Sequence, residues 1–124
     1  MKNSVELDAR VQTIRIYGHN ADNPEAVAQI SIYGDRAYLW SIKGERFWQR
    51  ADAIAEKVLP LGVERLEGYI TPSHARLVRM TLGKLGYFYK IEPKKFVKQY
   101  QREMCWGTWH LIKDSTYKGG ELDE

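Results

Sequence analysis

The period of the apolar residues changes at Lys43-Gly44, and that change fixes the order in which this chain can build its elements. Before it, Val11–Tyr17 alternates apolar and polar residues, and Ala26–Tyr33 and Arg36–Ile42 read as two more strands. Alternation at period two puts one face of a strand in a core and the other in water. Gly, Asn, Asp and Pro cluster in Gly18–Pro24, and Gly34-Asp35 is a tight hairpin signal. The first third of the chain is therefore a three-stranded meander.

After the break the period lengthens. Phe47, Trp48, Ala51, Ile54, Ala55 and Val58 fall on one helical stripe, and Pro60 and Gly62 end it. Val63–Ile70 reads as a strand. Thr71 can cap a second helix, and Pro72 suits its first position because the missing N–H would have no partner there. Ala75, Val78, Leu82 and Leu85 give this helix its apolar stripe, and Gly86 is placed to close it. Tyr87–Ile91 is a strand, Pro93–Glu103 a charged connection with a helical turn, and Cys105–Ile112 the last strand. Residues 1–10 and 117–124 are expected to fray. The expectation is a single α+β domain spanning 1–124, a mixed central sheet with helices on its faces, in the order β-β-β-α-β-α-β-β.

With 124 residues, 44% hydrophobic and 28% charged, the chain can bury one core and not two. Cys105 is the sole cysteine, which excludes an internal disulfide and a cysteine-based zinc cluster. His19, His74 and His110 have no metal-ligand spacing. No apolar run reaches the ~18–20 residues of a membrane span, and the first ten residues lack the apolar segment of a secretory signal. A cytoplasmic setting is expected.

Charge is uneven. Residues 84–102 hold six cations against the single acid Glu92, a net +5 within a chain of net +3. Tyr87, Phe88, Tyr89, Phe96 and Tyr100 thread that stretch. Basic and aromatic side chains together can meet phosphates, so Lys94, Lys95 and Lys98 are candidate nucleic-acid contacts. A solvated hairpin with inward-facing rings is the plainer reading, and a protein partner is expected in preference to a small molecule.

Other chemistry-bearing side chains are scattered. His74 beside Ser73 can act as a base or donate to a phosphate, or simply sit in a first helical turn. The two are neighbours on a helix, about 100° apart, so they are poorly placed as a nucleophile–base pair. Glu67 can activate an amine, whereas Glu67 and Glu64 near Arg65 also read as ordinary surface charge. Cys105 reads as a small apolar filler.

From Arg36 to Ile112 the order of elements resembles the GNAT N-acetyltransferases. The segments LGKLGYF and GVERLEGYITPSHARLVRMTLGKLGY resemble that family's late helix ending and its fifth strand with fourth helix. The resemblance implies an acetyl-CoA site in the turn after the fourth strand, where successive backbone N–H groups cradle a diphosphate. On this sequence the residues that would hold it are Ile42, Lys43, Gly44 and Arg46. Arg46 stands where the family has a small residue, and Glu45 adds a negative charge. The family's late-helix Tyr, a general acid, would fall at Leu82 or Arg79, and its Asn at Ala75 or Pro72. The family's amino-terminal substrate helices are also missing.

Tyr38-Leu39-Trp40-Ser41, Lys43-Gly44 and Ser73-His74-Ala75-Arg76 further resemble the small internal virion protein of short-tailed bacteriophages. These departures imply a phage-type protein acting by contacts in virion assembly, DNA ejection or host interaction, with no cofactor and located in host cytoplasm or virion. The alternative is a small acetyl-CoA-dependent N-acetyltransferase acting on a primary amine, its pantetheine held between diverging strands. A nucleic-acid-binding module is the third reading. No catalytic residue is assigned.

Overall fold

A computed structural model describes residues 4–8, 12–18, 23–113 and 119–122. The strands are β1 Ser4–Asp8, β2 Thr13–Tyr17, β3 Ala26–Tyr33, β4 Arg36–Gly44, β5 Arg65–Ile70, β6 Phe88–Ile91, β7 Lys95–Val97, β8 Arg102–His110 and β9 Gly120–Glu121. The helices are α1 Ala51–Val58 and α2 Pro72–Thr81. They build one mixed sheet in the order β1-β2-β3-β4-β5-β8-β6-β9, with β7 paired to the start of β8. β4 and β5 are parallel, joined through α1, as are β6 and β9.

Cross-strand register shows why the alternation was readable. Val5, Ile16 and Ala26 stand opposite one another, as do Ile32, Ala37, Leu66, Trp109 and Tyr89. All of these but the half-buried Ile32 are buried, and they form one core with Ile54, Val58, Val78 and Leu82 from the helices. Trp48, Val78 and Leu82 line a small internal gap with Leu39, Leu66 and Trp109, so both helices cover the same face. The other face carries Tyr38, Glu67, Thr108 and Lys90 in one row and Tyr69 beside Trp106 in another. Among the described residues no helix covers it.

Five expectations change. Residues 4–8 are a paired strand, because Val5 reaches the core opposite Ile16 at only 6% exposure. At the other end, the Arg79 guanidinium donates to both carboxylate oxygens of Glu121 at 3.0 and 3.3 Å, and β9 pairs with β6; positions 1–3, 9, 10, 117, 118, 123 and 124 lie outside the described residues. The charged connection holds a strand of its own, β7, paired with β8 across a turn closed by Tyr100 and Gln101 N–H groups donating to the Val97 carbonyl, so β8 starts at Arg102. The first helix opens with a 3-10 turn over Trp48–Arg50, and Leu85 is only half-buried beyond the end of α2.

Side-chain bonds pin the helices to the sheet. The Tyr87 hydroxyl donates to the Asp52 carboxylate at 2.7 Å, and Lys113 pairs with the same oxygen at 2.7 Å. Lys113 foremost, with Tyr87, holds the Asp52 carboxyl below its usual range against the opposing effect of burial.

Candidate functional site

The parallel strands β4 and β5 pair only over Arg36–Tyr38 and Arg65–Glu67. At the next step Gly68 lets the Leu39 carbonyl press close: a Cβ there would lie 2.5 Å from that oxygen. Beyond it the strands separate, and a β-bulge between Gln29 and Ile30 of the β3–β4 pair marks the same level. Bulges beside sites re-aim side chains, and this one carries Trp40. The gap is a cleft of about 200 Å³ lined by β4 residues 39–42, by Tyr69, Ile70, Thr71 and His74, and by Tyr100, Arg102 and Met104 of the hairpin.

The two strands end in turns that start the two helices. Thr71 Oγ1 accepts the His74 N–H at 3.2 Å and Pro72 takes the first helical position, as expected. The turn after β4 is less regular. Gly44 has φ +99°, and a Cβ on it would run into the Glu25 carbonyl. Arg46, a residue with a side chain, holds φ +66°. The left-handed region costs such a residue about 1–2 kcal/mol, which is the physical reason for a small residue at this position. The Glu45 N–H is engaged by the Glu25 carbonyl at 2.9 Å. Among the described residues the Arg46, Phe47 and Trp48 amides make no turn or cap bond, leaving donors at the mouth of the 3-10 turn.

That turn fronts a second hollow of about 280 Å³, bounded by residues 44–49, His74 and Leu77. His74 lines both spaces and so joins the cleft to the turn. The Trp48 indole N–H donates to His74 Nδ1 at 3.1 Å, and burial lowers the imidazole pKa. With Nδ1 accepting, the neutral ring carries its proton on Nε2, which becomes a donor.

Of the residues expected to hold a cofactor, Ile42 lines the cleft and Gly44 and Arg46 line the hollow, whereas Lys43 is exposed and lines neither. Leu82 is fully buried and Arg79 is engaged with Glu121, so neither replaces the missing tyrosine. The cleft's phenols come from Tyr69 and Tyr100 instead, with Tyr100 3.4 Å from the Tyr38 hydroxyl. Burial and that hydroxyl raise the Tyr38 pKa. Glu67 pairs with Arg36 at 3.6 Å, not with Arg65, and does not line the cleft. Cys105 is buried, and burial raises its thiol pKa, which suits a packing role. His110 lies on β8, while His19 falls outside the described residues. Lys94 faces Glu103 at 4.0 Å and Lys95 sits over the Tyr69 ring at 5.9 Å, so the basic stretch is partly engaged within its own hairpin.

Sequence reading missed Trp48, Tyr69, Tyr100 and Arg102 as site residues. The signal for Trp48 was its place one turn ahead of α1. Tyr100 and Arg102 were marked only as members of the basic, aromatic stretch 84–102, and nothing local marked Tyr69. No helix is long and apolar enough to cross a membrane among the described residues, and the same residues hold no metal-ligand cluster.

No family model and no curated protein matches the sequence. Solved structures do. TofI, solved in a ternary complex with an inhibitor and MTA, matches 81% of this chain with a TM-score of 0.59 at 13% identity, and the chain spans 65% of that protein's length. The ribosomal-protein-S18-alanine N-acetyltransferase of Escherichia coli matches over 85% of this chain and 72% of its own, with a TM-score of 0.52 and 16% identity. A Bacillus subtilis acetyltransferase solved with CoA matches over 90% of this chain and all of its own, with a TM-score of 0.55 and 13% identity. None of these three is described as a virion protein. A meander feeding a parallel pair that splays into a cleft, with a helix starting at each strand end, is the GNAT N-acetyltransferase fold, and this chain has that fold.

Proposed function

We propose that the chain is a small N-acetyltransferase that accepts its acyl group from acetyl-CoA and passes it to an amine. The observation that carries the reading is the splay itself: β4 and β5 part after three paired residues, and the resulting cleft runs past His74 to a turn with left-handed backbone at Gly44. Among the structural neighbours, acetyltransferases support this over an action by contacts alone.

Acetyl-CoA, when bound, supplies a thioester activated toward amines. Ile42 and Ile70 offer apolar walls to its pantetheine, and the Arg46, Phe47 and Trp48 amides, with the Arg46 side chain, would meet its diphosphate. His74, locked as a neutral ring by Trp48, donates from Nε2 at the junction of the two spaces. Tyr100 carries the phenol that can return a proton within the cleft. Fold alone does not give activity, so the reading stands on these side chains.

A contact-based role draws support from the Arg46 backbone and the engaged Glu45 amide, both of which weaken the diphosphate turn. Calorimetric titration with acetyl-CoA separates the two. One-to-one saturable binding that Gly44→Val removes is the expected result. No heat from the wild-type protein at millimolar ligand would leave the contact role standing.

A further inference from the structure

The cleft wall that faces away from the helices carries its own chemical specification. It is made by Trp40 on β4, Tyr69 on β5, and Tyr100, Arg102 and Met104 on the β7–β8 hairpin. The rings brace one another edge to face: Tyr38 on Trp40 at 4.5 Å, Tyr69 on Trp106 at 4.9 Å and Tyr69 on Tyr100 at 6.0 Å. Trp40 is fixed further by its indole N–H donating to Ser31 Oγ at 2.5 Å, and it remains 42% exposed.

The charges on this wall have one sign. Arg102 is the charged residue lining the cleft, and no carboxylate lines it among the described residues. The cation–π position over Tyr69 is already taken by Lys95. Glu67, on the same sheet face, is turned to Arg36. The one imidazole, His74, has its Nδ1 lone pair engaged by Trp48. The cleft therefore holds nothing that readily takes a proton from an ammonium.

Alkylamines titrate near ~10 and arrive protonated at neutral pH. Such an acceptor would bring a positive charge beside Arg102 and find no base to neutralise it. An amine conjugated to an aromatic ring is uncharged at neutral pH and needs no base. Its ring packs against Trp40, Tyr69 and Tyr100, and a carboxylate on the ring matches the Arg102 guanidinium fork. We infer that the acceptor is a flat arylamine bearing an anionic group. The ligand class follows from the wall, while its conversion rests on the acetyl-transfer reading. In that conversion the amine nitrogen bonds to the thioester carbonyl carbon and the carbon–sulfur bond breaks. The electron pair leaves on the CoA sulfur, and one N–H proton passes to that thiolate, giving the N-acetyl arylamine and free CoA thiol.

The test uses 4-aminobenzoate as probe, with aniline and putrescine as controls, read by the tryptophan fluorescence of the protein without acetyl-CoA. Saturable quenching by 4-aminobenzoate is expected, lost in Trp40→Phe. Arg102→Gln should weaken it about tenfold or more, the scale of a lost charge-assisted hydrogen bond, and Arg102→Lys should recover part. Aniline should bind the wild type as weakly as 4-aminobenzoate binds Arg102→Gln, and putrescine should not quench. Acetyl-CoA binding is measured separately by calorimetry. Quenching without acetyl-CoA binding keeps the ligand class and removes the transfer reading. Acetyl-CoA binding with putrescine acetylated in preference keeps the transfer reading and overturns the arylamine inference. Absent quenching, or quenching indifferent to Arg102→Gln, also overturns it.

Discussion

β4 and β5 lie side by side and each runs into a helix, yet the two turns are built by different rules. The turn into α2 follows local preference: Thr71 caps, Pro72 occupies the first position, and the helix is regular from there. The turn after β4 has no side-chain cap, places Gly44 and Arg46 in left-handed backbone, and reaches α1 only through a 3-10 turn. It is held from outside, by the Glu25 carbonyl on the Glu45 N–H and by the buried rings of Phe47 and Trp48. Strain of this kind persists where the surroundings over-determine the backbone, and such places cluster at functional sites. One turn is shaped to start a helix; the other is shaped to leave amides facing a hollow.

The contrast can be broken in order of size. The largest effect is expected in the core beneath α2, where Leu82 is fully buried: Leu82→Ala should cost about 2–5 kcal/mol in denaturant unfolding. A loss below ~1 kcal/mol would place that helix face in solvent. Gly44→Val should follow, at about 2 kcal/mol or more, because left-handed strain adds to a clash with Glu25. It should also remove acetyl-CoA binding, whereas Thr71→Ala should cost only ~1 kcal/mol and leave binding intact. If Thr71→Ala proved the more damaging, the two turns would not differ as described. In the other direction, Arg46→Gly should stabilise by roughly 1 kcal/mol by relieving the left-handed backbone, while losing the side chain that faces the diphosphate should weaken acetyl-CoA binding.

The smallest effect is pH dependence. Burial lowers the His74 pKa in the folded protein, so below the ordinary histidine value of ~6.5 the unfolded chain binds the proton first. The contribution of His74 is full above that pH and shrinks as pH falls toward the folded pKa, where protonation also costs Nδ1 its role as acceptor for Trp48. His110, lowered by burial and by Arg65, acts in the same direction. His74→Gln should therefore flatten part of the stability slope below about pH 6.5 and leave the rest; an unchanged slope would show the ring to be solvated.

The element order was legible because periodicity, caps and stops are local. Seven of the stripe residues, Ala51, Ile54, Ala55, Val58, Ala75, Val78 and Leu82, are buried as the spacing requires. Leu85 is only partly buried against the core, because α2 ends at Thr81 with Leu82 as its C-cap and Leu85 lies beyond it. The two chain ends failed for another reason. A five-residue strand and a two-residue strand carry too little pattern of their own, and each is made by its partner, β2 and β6.

Sequence alone determined that a glycine-broken turn would follow β4 and a capped one would follow β5, since φ limits and capping belong to single residues and their near neighbours. It also flagged Arg46 and Glu45 as departures at the first turn. Only the tertiary structure decided that Trp40, Tyr69, Tyr100 and Arg102 share one wall. They come from three separate stretches, joined by a parallel pair that zips for three residues and by a hairpin whose β7–β8 pairing the pattern did not announce. Local rules cannot see such a wall, because its residues meet through strand order and register, and those are set by burying the opposite face of the sheet.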